Sequence, residues 1–594
     1  MFGKLVGMLS FPVRREMSIF IFSMLMSWTI AIVAMISISR NTIYASTFVH
    51  LLLISLSEAY VVCLVAWLLS FIRLGWLVRS FVAAVMCMEL FVLYFNHSLL
   101  SVSVIRLLVE TDTRESSEFL TAVLGHHALW ITLIIFCIYV MASLWLSRKV
   151  KTWTKRTTVM LMLQVIISAS VLVGAVLYRG VYRSMLQCLC LDNIDDFGSL
   201  NMPRQTTPLT RLFYGVVFNR VATKELDALV KTVEATEVKG CSFRSPLIML
   251  IIGESYNKHH ASLYNSEHRE TTPRMKALSD EGLLWVFNDV VSPYNLTSDV
   301  FREMFSTWDE RDVDDWHSHT LFPAVFRKAG YDVHFYSNQF ILRNEDLTGE
   351  AKHDVVGGTI FNHSKLSDLQ FTGRNNSTTR YDGDFISRMP PLGGKKSNRP
   401  TLLIVHLIGQ HCWYDERYPK EFAHFTPADY TPRYGGKEEQ KIHAAYDNAT
   451  LYNDSIVSSL MQRYRDEEII AIYVSDHGEE CYDWRNGFLR THDPAMPWGE
   501  IHNQYEVPFV VYMSKIYQEK HPEIAEAVKM AVDRPFMNTH LCHMLFGLAG
   551  IETVEYKEQL DLLSPQYVPS RRMINGSRDY DAMRRNSAKY NSEY

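Results

Sequence analysis

Within its first 177 residues the chain carries five apolar runs, each long enough to cross a hydrocarbon core of about 30 Å, which takes roughly 20 residues. They cover Met17–Ile38, Thr47–Ile72, Leu74–Phe95, Leu129–Ser147 and Thr158–Leu177. The first is long, lacks a small-residue cleavage site and is followed by four similar runs, so it reads as an anchor and not as a cleaved leader. Lys4, Arg14 and Arg15 precede the first run, Arg73 and Arg79 flank the second turn, and Arg148, Lys149, Lys151, Lys155 and Arg156 fill the turn before the fifth. Basic residues stay on the cytoplasmic side, and five crossings that start inside place everything after Gly180 outside.

Beyond Gly180 the sequence changes character, with charged loops alternating with short apolar runs. The organisation expected is a five-helix transmembrane domain over 1–180, an amphipathic bridge over 181–240, a soluble α/β domain over 241–568 and a loose polar tail over 569–594. Between the third and fourth runs, residues 104–120 have apolar positions that suit a surface helix at the membrane face. The net charge of −5 is small for 594 residues and points to no nucleic-acid partner. Six cysteines lie beyond Gly180, where an oxidising compartment would allow disulfides, and sequence alone leaves 15 pairings open.

In the soluble part the clearest strands are Pro246–Gly253, Tyr331–Ser337, Thr401–Leu407, Glu468–Ser475 and Val507–Met513, with helical patterns such as Asp447–Arg463 between them. That alternation predicts a largely parallel sheet, whose ligands bind beyond the carboxyl ends of its strands. Glu254, His411 and the pair Asp476–His477 follow three of these strands, with His492 further on. Singly, each could be a helix cap or a loop charge. Together, Asp, Glu and His at one sheet edge are what a borderline-hard divalent ion such as zinc needs. Val300, Met304 and Phe305 share one helical face, which puts Thr297 at a helix N-terminus. A hydroxyl there is either an ordinary cap or a nucleophile favoured by the free N–H groups.

Residues 250–264 followed by Thr271-Thr272-Pro273 resemble the opening motif of bacterial phosphoethanolamine transferases, of the alkaline phosphatase and sulfatase superfamily. The segments 297–306, 329–339, 405–411, 446–454 and 475–480 continue the resemblance in order. It implies a sulfatase-like soluble domain on a five-span anchor in the bacterial inner membrane, with the catalytic domain periplasmic. It further implies that Thr297 is the catalytic nucleophile, that Glu254, Thr297, Asp476 and His477 hold zinc, and that His411 and His492 bind substrate phosphate, assist proton transfer or hold a second metal. Thr111 and Glu115, in the outer loop, would contact the donor headgroup. The reaction implied moves phosphoethanolamine from phosphatidylethanolamine to lipid A or the lipopolysaccharide core through a phospho-threonine intermediate. A glycerol-phosphate transferase of the lipoteichoic acid synthase type and a non-catalytic membrane scaffold are the alternatives. The Gly-Glu-Ser-Tyr and Asp-His-Gly-Glu-Glu stretches favour the phosphoethanolamine reading over the first, and the full set of ligand residues favours an enzyme over the second.

Overall fold

A computed structural model describes residues 10–37, 45–96, 100, 127–153, 173, 176, 179–190, 207–339, 360–361, 363–390, 399–434, 436–490 and 496–592. The chain divides into two compact units, one ending at Glu225 and the other beginning at Leu226. The division falls inside the helix Pro208–Ala235, within the span expected to be a bridge.

In the first unit the apolar runs form the helices Met17–Ser37, Ala45–Ser70, Gly75–Asn96 and His127–Trp153. Leu53–Ser70, Gly75–Leu93 and Leu129–Lys149 are long and apolar enough to cross a membrane, and Met17–Ile30 is a shorter apolar stretch. The fifth run, Thr158–Leu177, and the outer loop at 104–120 lie outside the described residues. Met26, Ala59, Cys63, Val82 and Met86 pack inside the bundle, while Phe71, Trp76, Phe81, Trp130, Ile134, Met141 and Trp145 face outward. An apolar exterior of this kind suits a lipid surround. Carboxylates inside or at the edge of the apolar helices were not anticipated, and each of three has a partner. Glu16 accepts from Arg79 at 2.7 Å, Glu58 from Ser27 at 3.0 Å and from Thr207, and Glu89 from Arg211.

The second unit is built on a seven-stranded sheet. Its strands are β1 (Leu247–Gly253), β2 (Leu284–Phe287), β3 (Asp332–Ser337), β4 (Gly373–Arg374), β5 (Thr401–His406), β6 (Ile469–Ser475) and β7 (Phe509–Met513), in the order β2-β7-β6-β1-β5-β3-β4. The five strands from β6 to β4 run parallel, and β7 and β2 close one edge antiparallel. Ile248, Leu250 and Ile252 of β1 enter one core, and Met249 and Ile251 enter the other. Because side chains alternate and both faces are covered, a central strand must be apolar at every position, which is why β1 and β6 read as unbroken apolar runs. Successive strands leave on opposite sides of β1, with β5 on one flank and β6 on the other, and this switch point opens a crevice at their carboxyl ends.

Two sequence readings need correction. The helix expected over Asp447–Arg463 begins ten residues earlier and spans Lys437–Arg463. The stretch from Pro569 is not a loose tail. Met573–Ile574 pairs with Arg578–Asp579, the helix Tyr580–Ser592 follows, and Tyr580 is fully buried and donates to Glu506 at 2.6 Å. Arg572, only 2% exposed, meets Asp289 at 2.6 Å and Asp581 at 2.5 Å. The segment looked polar and unattached because Asp289, a principal partner, lies far upstream in sequence. Removing one member of a buried ion pair costs about 3–5 kcal/mol. The two aspartates keep some access to water, so Arg572→Ala should lose about 3 kcal/mol, the low end of that range. Urea unfolding of the soluble unit measures it, and a change below the error of the method would mean the segment is peripheral.

Candidate active site at the crevice beside β1

The site is assembled by register. Gly253 of β1 lies opposite Ser475 of β6, so the next residues, Glu254 and Asp476, emerge side by side. The turn that aims Glu254 is strained, with Ser255 in the left-handed region at φ 56°. Such backbone persists only where its surroundings hold it. Here the Ser255 N–H donates to Asp476 Oδ1 at 3.0 Å and the Ser255 hydroxyl to Glu254 Oε1 at 2.7 Å. The loop after β5 crosses closely behind. Gly409 has φ 48°, and a Cβ there would meet the Glu254 backbone at 2.9 Å, so only glycine fits.

Thr297 arrives from another direction, on the first turn of the helix Thr297–Met304. Val300, Phe301 and Met304 seat that helix in the core. Its N-cap is Leu296, and no side chain caps it. The Thr297 hydroxyl lies 3.1 and 3.3 Å from the Glu254 carboxylate oxygens and 3.2 Å from His477 Nε2. Of the two readings of this threonine, the geometry is that of a hydroxyl turned into the crevice and away from capping.

The donors form one buried cluster. Glu254, Asp476 and His477 bring three ligand atoms within 4.8 Å of one another. His477 Nε2 is 3.1 Å from Asp476 Oδ2 and 3.5 Å from Glu254 Oε1. The His477 Nδ1–H donates to the Gly478 carbonyl at 2.8 Å, which leaves Nε2 to offer its lone pair to the crevice. Burial, reinforced by the Arg490 charge, pushes the His477 imidazole down to about 3, so it is neutral, as a metal ligand must be. Burial and the adjacent Glu254 charge push the Asp476 carboxyl well up. Burial alone would also raise Glu254, but its favourable interactions with the neighbouring His477, His411 and Arg490 side chains outweigh it and hold that carboxyl below the usual range. Asp476 Oδ2 and Glu479 Oε2 are buried without hydrogen-bond partners. Orphaned carboxylate oxygens beside a neutral imidazole and a hydroxyl are a donor set that fits zinc.

Several further residues support the cluster. Gln339 donates from Nε2 to Glu254 Oε2 at 3.1 Å and to the Leu407 carbonyl at 2.9 Å. His406 bonds Ser337 at 2.9 Å and packs edge-on against Phe301 of the Thr297 helix. Arg490 reaches in from the loop after β6. Its guanidinium touches His477 Nε2 and lies 3.7 Å from Glu254 and 3.9 Å from Glu479. No local pattern marks such an arginine, since its partners come from separate strand ends. His411 stands beside the cluster, where its charge acts on Glu254 and His477. His492, Thr111 and Glu115 lie outside the described residues. All nine cysteines are free thiols, so none of the possible pairings is formed.

Residues 246–551 match the Sulfatase family. The phosphoethanolamine transferase EptC of Escherichia coli strain K12 is 26% identical over 507 residues, covering 81% of this chain and 82% of that one. The Kdo(2)-lipid A phosphoethanolamine 7''-transferase of the same strain is 28% identical, covering 47% of this chain and 46% of its own. The crystal structure of the C-terminal periplasmic domain of EcEptC from Escherichia coli superposes with a TM-score of 0.50 at 27% identity, over 58% of this chain and 95% of that one.

Proposed function

We propose a specific reaction for this chain, which belongs to the sulfatase family: it transfers phosphoethanolamine from phosphatidylethanolamine to lipid A or the lipopolysaccharide core. The observation that carries this reading is the convergence of the Thr297 hydroxyl with Glu254, Asp476 and His477 at one buried point of the crevice. The name of the EptC relative, similar over 81% of this chain, supports the transferred group, and that of the lipid A transferase, similar over 47% of it, supports the class of acceptor. The apolar helices would keep the domain at the bilayer, where donor and acceptor both reside, with the soluble unit in the periplasm and the anchor in the inner membrane.

Thr297 is the nucleophile in this scheme. Its hydroxyl donates to Glu254 Oε2, which orients the oxygen and draws the proton away as attack begins. The Thr297 oxygen bonds to the donor phosphorus, the bond to the diacylglycerol oxygen breaks, and phosphoethanolamine remains on the threonine. Zinc held by Glu254, Thr297, Asp476 and His477 would supply a Lewis acid that lowers the threonine pKa and polarises the phosphate. Arg490, a planar donor already at the edge of the cluster, suits the phosphate oxygens on which charge accumulates. His411 protonates the leaving diacylglycerol oxygen and then takes the proton of the incoming acceptor, with His492 as a second substrate contact. The acceptor oxygen bonds to phosphorus as the bond to the Thr297 oxygen breaks, and Thr297 recovers its proton from Glu254. Thr111 and Glu115 contact the ethanolamine ammonium, a group that a carboxylate binds by charge-assisted hydrogen bonds.

Mass spectrometry of the acceptor tests the scheme. The purified full chain with phosphatidylethanolamine and lipid A or core glycolipid should add one phosphoethanolamine unit and release diacylglycerol. Transfer of glycerol phosphate from phosphatidylglycerol instead would select the lipoteichoic acid synthase alternative, and no transfer from either lipid would leave a scaffold. In the same assay Glu115→Gln should narrow the preference for phosphatidylethanolamine over phosphatidylcholine, and an unchanged preference would remove Glu115 from the headgroup site.

A further inference from the structure

A second cluster of ligand-type side chains lies on the other side of the loops that carry the site just described. His260 is buried six residues after Glu254, and Asp483 lies seven residues after Asp476. His443 and Asp447 belong to successive turns of the helix Lys437–Arg463. A ring nitrogen of His260, a ring nitrogen of His443 and a carboxylate oxygen of Asp483 lie within 4.8 Å of one another. The His260 and His443 rings are stacked, with centroids 5.8 Å apart and planes 21° from parallel.

The surroundings of His260 resemble those of a metal-bound histidine. Its Nδ1 faces Asp447 Oδ1 at 2.6 Å, and the other Asp447 oxygen accepts from Tyr430 at 2.6 Å and His268 at 3.0 Å. With its oxygens engaged in this way, Asp447 orients the ring and leaves Nε2 directed at Asp483, 3.1 Å away. A carboxylate behind a histidine, fixing its tautomer and raising its basicity, is the usual support of a zinc ligand. His443 and Asp483 keep partial access to solvent, so an ion can enter without unfolding the loops. The nearest guanidinium contact to Asp483 is spent on its backbone, where Arg433 donates to the carbonyl oxygen at 2.7 Å.

We propose that His260, His443 and Asp483, with Asp447 orienting His260, form a second divalent-metal site, distinct from the Thr297 cluster. Two imidazoles and one carboxylate select zinc or another borderline transition ion over magnesium or calcium, which prefer all-oxygen sets. A zinc with bonds of about 2.0–2.2 Å draws these atoms together, and water completes its coordination. On binding, the proton shared between His260 Nε2 and Asp483 passes to solvent, and the ion takes its place. The ion ties the loop after β1, the loop after β6 and the long helix together. Asn257 connects this site to the first, donating to the Glu479 carbonyl at 3.0 Å and to Asp483 at 3.4 Å. The site is therefore a structural clamp on the loops that present Glu254, Asp476 and His477.

Metal counting tests this independently of the proposed reaction. The full chain, free of affinity tags and purified in detergent, is stripped with a chelator, titrated with zinc, desalted and analysed by elemental mass spectrometry. Two equivalents are expected for the wild type, one for Asp476→Asn, one for the double variant His443→Gln with Asp483→Asn, and none for the three changes together. Cobalt substitution adds a second reading, since the tetrahedral cobalt absorption remaining in Asp476→Asn should vanish when His443 and Asp483 are also replaced. Circular dichroism of the metal-free double variant, matching that of the metal-free wild type, shows that the loss is not unfolding. A wild type that retains one equivalent, or a double variant that retains two, overturns the site and leaves His260 as an imidazolium paired with Asp447 and Asp483. Either result leaves the Thr297 scheme to its own assay.

Discussion

Thr297→Ala leaves the soluble unit folded and slows transfer by at least about a thousandfold, as expected when the attacking group itself is removed. The helix that carries Thr297 loses little. Its N-cap is Leu296 and no side chain caps it, so the usual penalty of about 0.5–2 kcal/mol for deleting a cap does not apply. Val300, Phe301 and Met304 hold the helix in place without the hydroxyl. Thr297→Ser, which keeps an oxygen at the same position, should retain part of the activity. Turnover of a fluorescent phosphatidylethanolamine measures the rates, and denaturant unfolding shows that stability is kept. Intact-mass analysis of the wild type without acceptor should find one added phosphoethanolamine, absent from the alanine variant. Near-normal turnover in Thr297→Ala would assign the nucleophile to another group and reduce Thr297 to a neighbour of Glu254.

What could be read of the site beforehand reflects which constraints are local. Strands buried on both faces show as apolar runs, and in an α/β sheet the residue after such a run stands at the ligand-binding edge. Glu254, His411, Asp476 and His477 were legible for that reason. The edge strands Leu284–Phe287 and Gly373–Arg374 were not, because four or two residues carry no period to read. Thr297 stayed divided between cap and nucleophile, since the groups its hydroxyl meets, on Glu254 and His477, come from distant strand ends. Arg490 and Gln339 were missed on the same ground, as each is defined by what it meets across the fold. Glu16, Glu58 and Glu89 disappeared into apolar averages, and their partners show only once the helices pack. The segment after Pro569 misled most. Its arginines read as solvated charge until Asp289 and Glu506 come beside it.

Removing the metal should abolish transfer. Glu254, Asp476 and Glu479 place three carboxylates in one buried volume, with His477 neutral between them and Arg490 as the cation in contact. One guanidinium leaves Asp476 Oδ2 and Glu479 Oε2 without hydrogen-bond partners, and burial with the adjacent Glu254 charge pushes the Asp476 carboxyl up. A divalent ion held by Glu254, Asp476 and His477 would satisfy Asp476 Oδ2 and favour its charged form, so binding should also stabilise the fold, by about 4 kcal/mol when the free ion exceeds its Kd a thousandfold. Dialysis against a chelator should therefore reduce turnover to background and lower the unfolding temperature, with zinc restoring both and magnesium neither. Asp476→Asn removes one charged ligand. Loss of even a supporting residue costs about 10–100-fold in affinity or activity, so loss of a ligand should cost more than about 100-fold. The variant should also bind one zinc fewer than the wild type, a reading that does not depend on catalysis. Full turnover in the chelated enzyme would show that Thr297 works without a metal. An unchanged zinc count in Asp476→Asn would place the bound ion away from the cluster, and Arg490 would then remain as its resident cation.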